Sequence, residues 1–170
     1  MRVFRIDILG MYWLIGQAEE TDLCAHGNVR IHIGGDVLED DVSLSAAALH
    51  LLRSVTEDHD PDVLAKLFPT DGFCWTPDVE GSIYLGGCPN GGFDGYVTHE
   101  DDVVRIALEG LPAVRIPLAE YQAKVFAFAD QVEAFFRQSK PKVAIGELDK
   151  LWYPLFWKEW RRRRGGIENP

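Results

Sequence analysis

Apolar and polar residues alternate in VFRIDIL near the start of the chain. Phe4, Ile6 and Ile8 fall on one side, and Arg5 and Asp7 on the other. A period of two predicts a half-buried strand, which MYWLIGQ either continues or pairs back on after Gly10. LCAHGNVRIHIGGDVLE then predicts a hairpin. His26, Gly27 and Asn28 form its expected turn, and Val29, Ile31 and Ile33 share the inner face of its second arm.

The period changes in SLSAAALHLLRSV, where Leu44, Ala48, Leu51, Leu52 and Val55 recur at helical spacing. Asp41 or Ser43 is the expected N-terminal cap. Glu57 and Asp58 stand where a helix C-terminus prefers cations, so the helix is expected to end there. His50 and His59 are expected on the surface. Asp60-Pro61 predicts a second, short helix through Lys66. FCW, SIYL, YVTH, VVRIAL and AVRIPL then follow at the close spacing of an antiparallel meander.

Residues 118–139 predict the longest helix, with Tyr121, Val125, Phe128, Val132 and Phe135 in one stripe, broadened by Phe126, Ala129 and Phe136. A short helix starting near Pro154 is expected in LWYPLFWKEWRRRRGG. Four arginines suit the dipole of its last turn, and Gly165 suits its C-terminal cap. Strands, a helix, strands and then helices, without regular alternation, predict an α+β fold. The expectation is a single domain over residues 1–170, ending in a flexible tail at 164–170. In it a largely antiparallel twisted sheet of about five to eight strands packs against two longer helices and a short C-terminal one.

Composition narrows the class. A hydrophobic fraction of 46% is that of a globular protein, and no run is long enough to span a membrane. The apolar N-terminus contains Arg2, Arg5 and Asp7 and lacks a small-residue cleavage site, unlike a signal peptide. Three cysteines at wide spacing form no disulfide framework, and a cytoplasmic location is the expectation. The net charge of −10 is unevenly placed. From Lys140 onward eight Lys and Arg face four Asp and Glu, whereas the preceding residues carry nine against 23. A body at −14 disfavours nucleic acid and steers basic partners.

Candidate chemistry centres on GGCPNGGFDGYVTHE, residues 86–100. Gly86 and Gly91 have P-loop spacing, but Gly92 and Phe93 stand where the motif needs Lys and Ser or Thr. No dinucleotide fingerprint, calcium loop, G-x-S-x-G elbow or H-E-x-x-H motif occurs. Pro89, Asn90 and Gly91 are turn residues, so a hairpin turn is expected. Cys24, His26, Cys88, Asp94 and His99 are the residue types of a reactive or metal cluster. The paired ligand spacing of zinc sites is missing, however, and Cys88, Asp94 and His99 are not expected to meet. Neither a cofactor nor a metal is expected.

Two features favour binding. Glu39, Asp40 and Asp41 precede one helix, and Asp58, Asp60 and Asp62 follow it, an acidic patch if they converge. Trp152, Tyr153, Phe156, Trp157 and Trp160 adjoin Arg161 to Arg164, and are expected to be mostly core. In size, acidity and architecture the chain resembles the small immunity proteins that bacteria make against toxins. That resemblance implies a non-enzymatic module whose acidic loops neutralise a basic partner such as a nuclease toxin. A small hydrolase or transferase using a Cys/His or His/carboxylate site is the competing expectation.

Overall fold

The computed structural model describes residues 4–14, 16, 18–62, 65–70, 75–77, 83–85 and 91–165. Strand β1 (Phe4–Tyr12) pairs antiparallel with β2 (His26–Ile33), and β2 pairs with β3 (Asp36–Ser43). Val29, Ile31 and Ile33 all face the core, as their alternation predicts. The turn lies elsewhere than expected: His26, Gly27 and Asn28 belong to β2, and the chain reverses at Gly34-Gly35. Gly34 takes a φ of 62°, which glycine adopts without strain. Gly27 serves a different purpose. A Cβ there would stand 2.2 Å from the Gly10 carbonyl oxygen, so glycine alone allows β1 to approach this closely.

Helix α1 (Leu44–Ser54) follows β3 directly, and every residue in it except Arg53 is buried. The leucines form the anticipated stripe. Ser45, Ala46, Ala47 and Ser54 complete the circumference, small enough for neighbours to close around them. Neither Asp41 nor Ser43 caps the helix through its side chain. Asp41 accepts the Tyr12 hydroxyl instead. The Ala25 carbonyl accepts the Leu44 amide at 2.8 Å, and the Ser45 hydroxyl accepts the Ala25 amide at 2.8 Å. The segment leading into β2 is therefore stitched to the start of α1.

His50 and His59, expected on the surface, are 2% and 3% exposed. Their rings meet edge to face at 5.2 Å. His59 Nε2 lies 2.9 Å from the Ala65 carbonyl oxygen, whereas His50 Nε2 is buried with no hydrogen-bond partner. Residues 61–62 form a turn and 65–66 are irregular, so the short helix expected from Pro61 is not seen among the described residues.

Strands β4 (Trp75–Pro77) and β5 (Ile83–Leu85) form a two-stranded ribbon. Strands β6 (Gly95–Glu100), β7 (Val103–Leu108) and β8 (Val114–Pro117) form a second three-stranded meander. The expected continuous sheet of five to eight strands is therefore divided into two antiparallel sheets and a ribbon, because α1 intervenes after β3. Residues 86–90, where a hairpin turn is expected, lie outside the described residues; among the described ones β5 pairs with β4, and β6 pairs with β7. Gly91 and Gly92 let the chain run beside residues 68–70, with Phe68 and Phe93 bridged through their backbones. A Cβ on Gly92 would sit 2.1 Å from the Phe68 carbonyl oxygen.

Helix α2 (Leu118–Gln138) buries Tyr121, Val125, Phe128, Ala129, Val132 and Phe136. Phe135 stacks on Trp13 at 4.7 Å. Helix α3 (Glu147–Arg164) begins seven residues before Pro154 and is far from short. The Asp149 carboxylate accepts the Gly146 amide at 3.3 Å and supports this earlier start. Pro154 removes one amide from the ladder, but burial of Trp152, Phe156 and Trp160 holds the helix on either side of it. Gly165 closes the helix in the left-handed conformation, as expected. Phe136 meets Trp157, Glu133 meets Trp160 and Asp130 meets Arg164, so α3 packs antiparallel to α2. Both sheets, α1, α2 and α3 contribute to one continuous core. Among the described residues no helix is long and apolar enough to cross a membrane.

A buried ionic cluster fastens α3 to α1. The Glu159 carboxylate accepts hydrogen bonds from Arg162 at 2.9 Å and from Arg163 at 2.8 Å, and Arg53 lies 3.5 Å away. Burial alone would raise the Glu159 pKa, but the Arg162 and Arg163 hydrogen bonds and the charges of Arg163 and Arg53 bring it down to about 2. Glu159→Gln is expected to destabilise the protein by about 3 kcal/mol, because it strands buried guanidinium charge. Arg162→Ala, which removes a largely exposed partner, is expected to cost under ~1 kcal/mol. Urea unfolding of both variants checks the contrast.

Burial, followed by the charges of His59 and Arg53, holds the His50 pKa well below its ordinary 6.5. Burial also lowers that of His59, against the opposing pull of the Ala65 carbonyl and Asp60. Both rings are therefore neutral in the fold, and the unfolded chain takes up protons first as the pH falls. Stability is expected to be greatest above the unfolded value and to decline as the pH drops from about 7.5 to 5.5. His50→Leu should flatten that decline, measured as the urea midpoint against pH.

Candidate functional site

The acidic residues singled out by the sequence fall into two groups on different sheets. Glu39, Asp40 and Asp41 lie on β3, at the edge of the first sheet. Glu39 pairs with Arg30 across the strands, and Asp40 accepts the amide of Asp41 at 2.8 Å. Asp41 accepts the Tyr12 hydroxyl at 2.5 Å. Burial, that hydrogen bond and the Asp41 charge together push the Tyr12 pKa up to about 12.

Asp58, Asp60 and Asp62 belong to the segment that runs from the end of α1 alongside β6, joined to it by a backbone bridge between His59 and Val97. Asp58 accepts the backbone amide and Nδ1 of His99, each at 2.8 Å. These bonds hold the Asp58 pKa below the usual range. Asp60 turns back to accept the Asp62 amide at 2.9 Å, and Asp62 accepts the Tyr96 hydroxyl at 3.0 Å. Tyr96, on β6, is 38% exposed. The hydrogen bond to Asp62 is the main reason its pKa is raised, followed by burial and then by the charges of Asp62, Asp60 and Asp94. One carboxylate, that of Asp62, thus holds the exposed phenol, and the charges of Asp60 and Asp94 also act on it. No hydrogen bond or ion pair among the described residues links this group to the β3 acids.

The candidate reactive residues are distributed differently. His26 opens β2 on the first sheet and Cys24 lies two residues before it, whereas Asp94 and His99 belong to β6 and its approach. Cys88 lies outside the described residues. Cys24 is 0% exposed, so its thiol offers a substrate no access. His26 lies 3.9 Å from the Asp22 carboxylate and stacks against Tyr12 at 5.8 Å. His99 is committed to Asp58 and lies 3.1 Å from the Val55 carbonyl oxygen. Asp94 is drawn instead into the field around Tyr96. Among the described residues no three His, Cys, Asp or Glu side chains gather as metal ligands.

The sequence reading passed over Tyr96, which gives the acidic group a shape. Its signal was modest: in YVTH, Val97 turns inward and Tyr96 outward, so a large ring is left on the polar face. Which acids that ring would meet depends on the path of residues 55–62, and no periodicity encodes that path. Compared with protein-family models, with curated proteins and with solved structures, the chain matches none.

Proposed function

We propose that the chain is a non-enzymatic acidic module that binds a basic protein, in the manner of immunity proteins that neutralise nuclease toxins. The observation that carries this reading is the Tyr96 face, where an exposed phenol is hydrogen-bonded to Asp62 and lies in the field of Asp60 and Asp94. Tyrosine supplies a large, rigid contact surface, and the carboxylates around it pair with guanidinium or ammonium groups. An arginine laid over the Tyr96 ring would meet both. Asp58 and His99 brace the same segment against β6, so the acids are presented by a fixed backbone.

The charge distribution supports the same partner. A body at −14 before Lys140 accelerates the approach of a basic protein and repels nucleic acid. On a nuclease, the matching surface would be the one that takes phosphate, so binding would block it by charge and shape together. The β3 acids are weaker candidates, because Glu39 is already paired with Arg30 and Asp41 already holds Tyr12.

The partner to test is any basic protein found to be encoded by a gene adjacent to this one. A one-to-one complex is expected, weakening steeply with salt. Tyr96→Ala should weaken it by tenfold or more, roughly 1.4 kcal/mol, mainly through faster dissociation. Asp60→Asn with Asp62→Asn should slow association and flatten the salt dependence, whereas Glu39→Gln should change little. Surface plasmon resonance over a salt series reads all three. No complex, or one indifferent to salt and to these substitutions, would remove the reading.

A further inference from the structure

The four consecutive arginines at the end of α3 are not equivalent. Arg162 and Arg163 are held by Glu159, Arg163 also reaches Glu57, and Arg164 forms a two-pronged pair with Asp130 at 2.7 and 2.8 Å. Arg161 is exposed and has neither an ion pair nor a side-chain hydrogen bond among the described residues. It stands four residues beyond Trp157 and eight beyond Tyr153, on one stripe of α3. That stripe lines a groove of about 320 Å³, closed on the other side by the last turns of α2 and the chain after it. Volumes of about 300 Å³ and upward are those of small-ligand sites.

The two walls differ in chemistry. Phe136, Tyr153 and Trp157 supply ring surface, packed edge to face so that each fixes the next. Arg137, Lys140 and Arg161 supply positive charge at the rim. Among the described residues Arg137 has only Glu133 as ion partner, at 3.9 Å, and Lys140 only Glu20, at 3.6 Å. Lys142, by contrast, is occupied: it donates to the Glu19 carbonyl at 2.6 Å and lies 3.2 Å from the centre of the Trp13 ring. Glu133 itself also lines the groove, with one carboxylate oxygen bonded to Trp160. A site for phosphate alone would gain nothing from the rings and would be opposed by Glu133. A ligand with a ring, an amine or hydroxyl donor and one anionic group uses all of them.

We propose that this groove binds a nucleoside monophosphate, its base against the Phe136–Tyr153–Trp157 wall and its phosphate between Arg161 and Arg137. Base–aromatic stacking contributes about 1–3 kcal/mol, and guanidinium matches phosphate in a two-pronged geometry. Glu133 would accept a hydrogen bond from the base amine or a ribose hydroxyl. The −14 body sets the size of the ligand. A polynucleotide brings a charge for every residue into that repulsive field, whereas a mononucleotide brings its charge to the rim alone. This site uses different elements from the Tyr96 face and stands independently of the protein-binding reading.

Isothermal titration with AMP and GMP tests the proposal on the full chain, with adenosine, inorganic phosphate and a single-stranded oligonucleotide in parallel. AMP or GMP is expected to bind at sub-millimolar concentration, and adenosine and phosphate at least about tenfold more weakly. Arg161→Gln and Arg137→Gln should each weaken AMP by about tenfold or more, with an unchanged thermal midpoint, since both side chains are exposed. The proposal fails if neither nucleotide binds, if phosphate alone binds as well as AMP, or if both variants bind AMP normally. It fails equally if only the oligonucleotide binds.

Discussion

A helix buried on every side must satisfy its polar groups as fully as its apolar ones, and α1 sets this requirement for the whole molecule. Its leucines and alanines are covered by the first sheet, α2 and α3. Its polar side chains then dictate what those neighbours offer. Ser54 and the Tyr121 hydroxyl of α2 meet at 2.5 Å, and Ser45 accepts the Ala25 amide. Arg53 reaches the Ile83 carbonyl of β5 and the Glu159 carboxylate of α3. Each bond ties a distant segment to α1, because an unmet buried polar group costs roughly as much as a hydrogen bond gains. Among the described residues His50 Nε2 and Arg53 Nε of α1 are exceptions, buried nitrogens with no hydrogen-bond partner, although Arg53 Nε lies 3.5 Å from the Glu159 carboxylate.

The same demand explains the fate of the charged tail. Read along the chain, Arg161 to Arg164 form a basic run. In the fold, Glu159, Glu57 and Asp130 absorb three of them. This leaves a molecule with a divided surface: an exposed Tyr96 held by Asp62 in an acidic field on the second sheet, and a short cationic rim over aromatic rings between α2 and α3. Net charge would describe neither face. What matters for recognition is which charges remain after internal pairing, and both surfaces have rigid rings beside those that do.

Much of the local structure was legible in the residues. Alternation in VFRIDIL and NVRIHI gives strands, the stripe from Tyr121 to Phe136 gives α2, and Gly165 gives the end of α3. These patterns are local: the period of side-chain burial is fixed by backbone geometry, whichever neighbour provides the cover. Turns were less secure, since His26-Gly27-Asn28 has turn chemistry yet lies within β2, where Gly27 is needed for close strand approach. Pro154 misled in the opposite direction. A proline signals a helix start, but one lost hydrogen bond is outweighed by the burial of Trp152, Phe156 and Trp160.

The sequence by itself determined the class of the protein, its strand and helix periods and its uneven charge, because each follows from composition and spacing. Only the tertiary structure decided that the strands divide into two sheets and a ribbon, that His50 and His59 are buried together, and that Asp62 holds Tyr96 while Asp41 serves Tyr12. It also decided which arginine of four has no ion pair among the described residues. Each of these outcomes depends on contacts between residues tens of positions apart. Such contacts are selected by the packing of α1 against everything around it, and no local pattern records them.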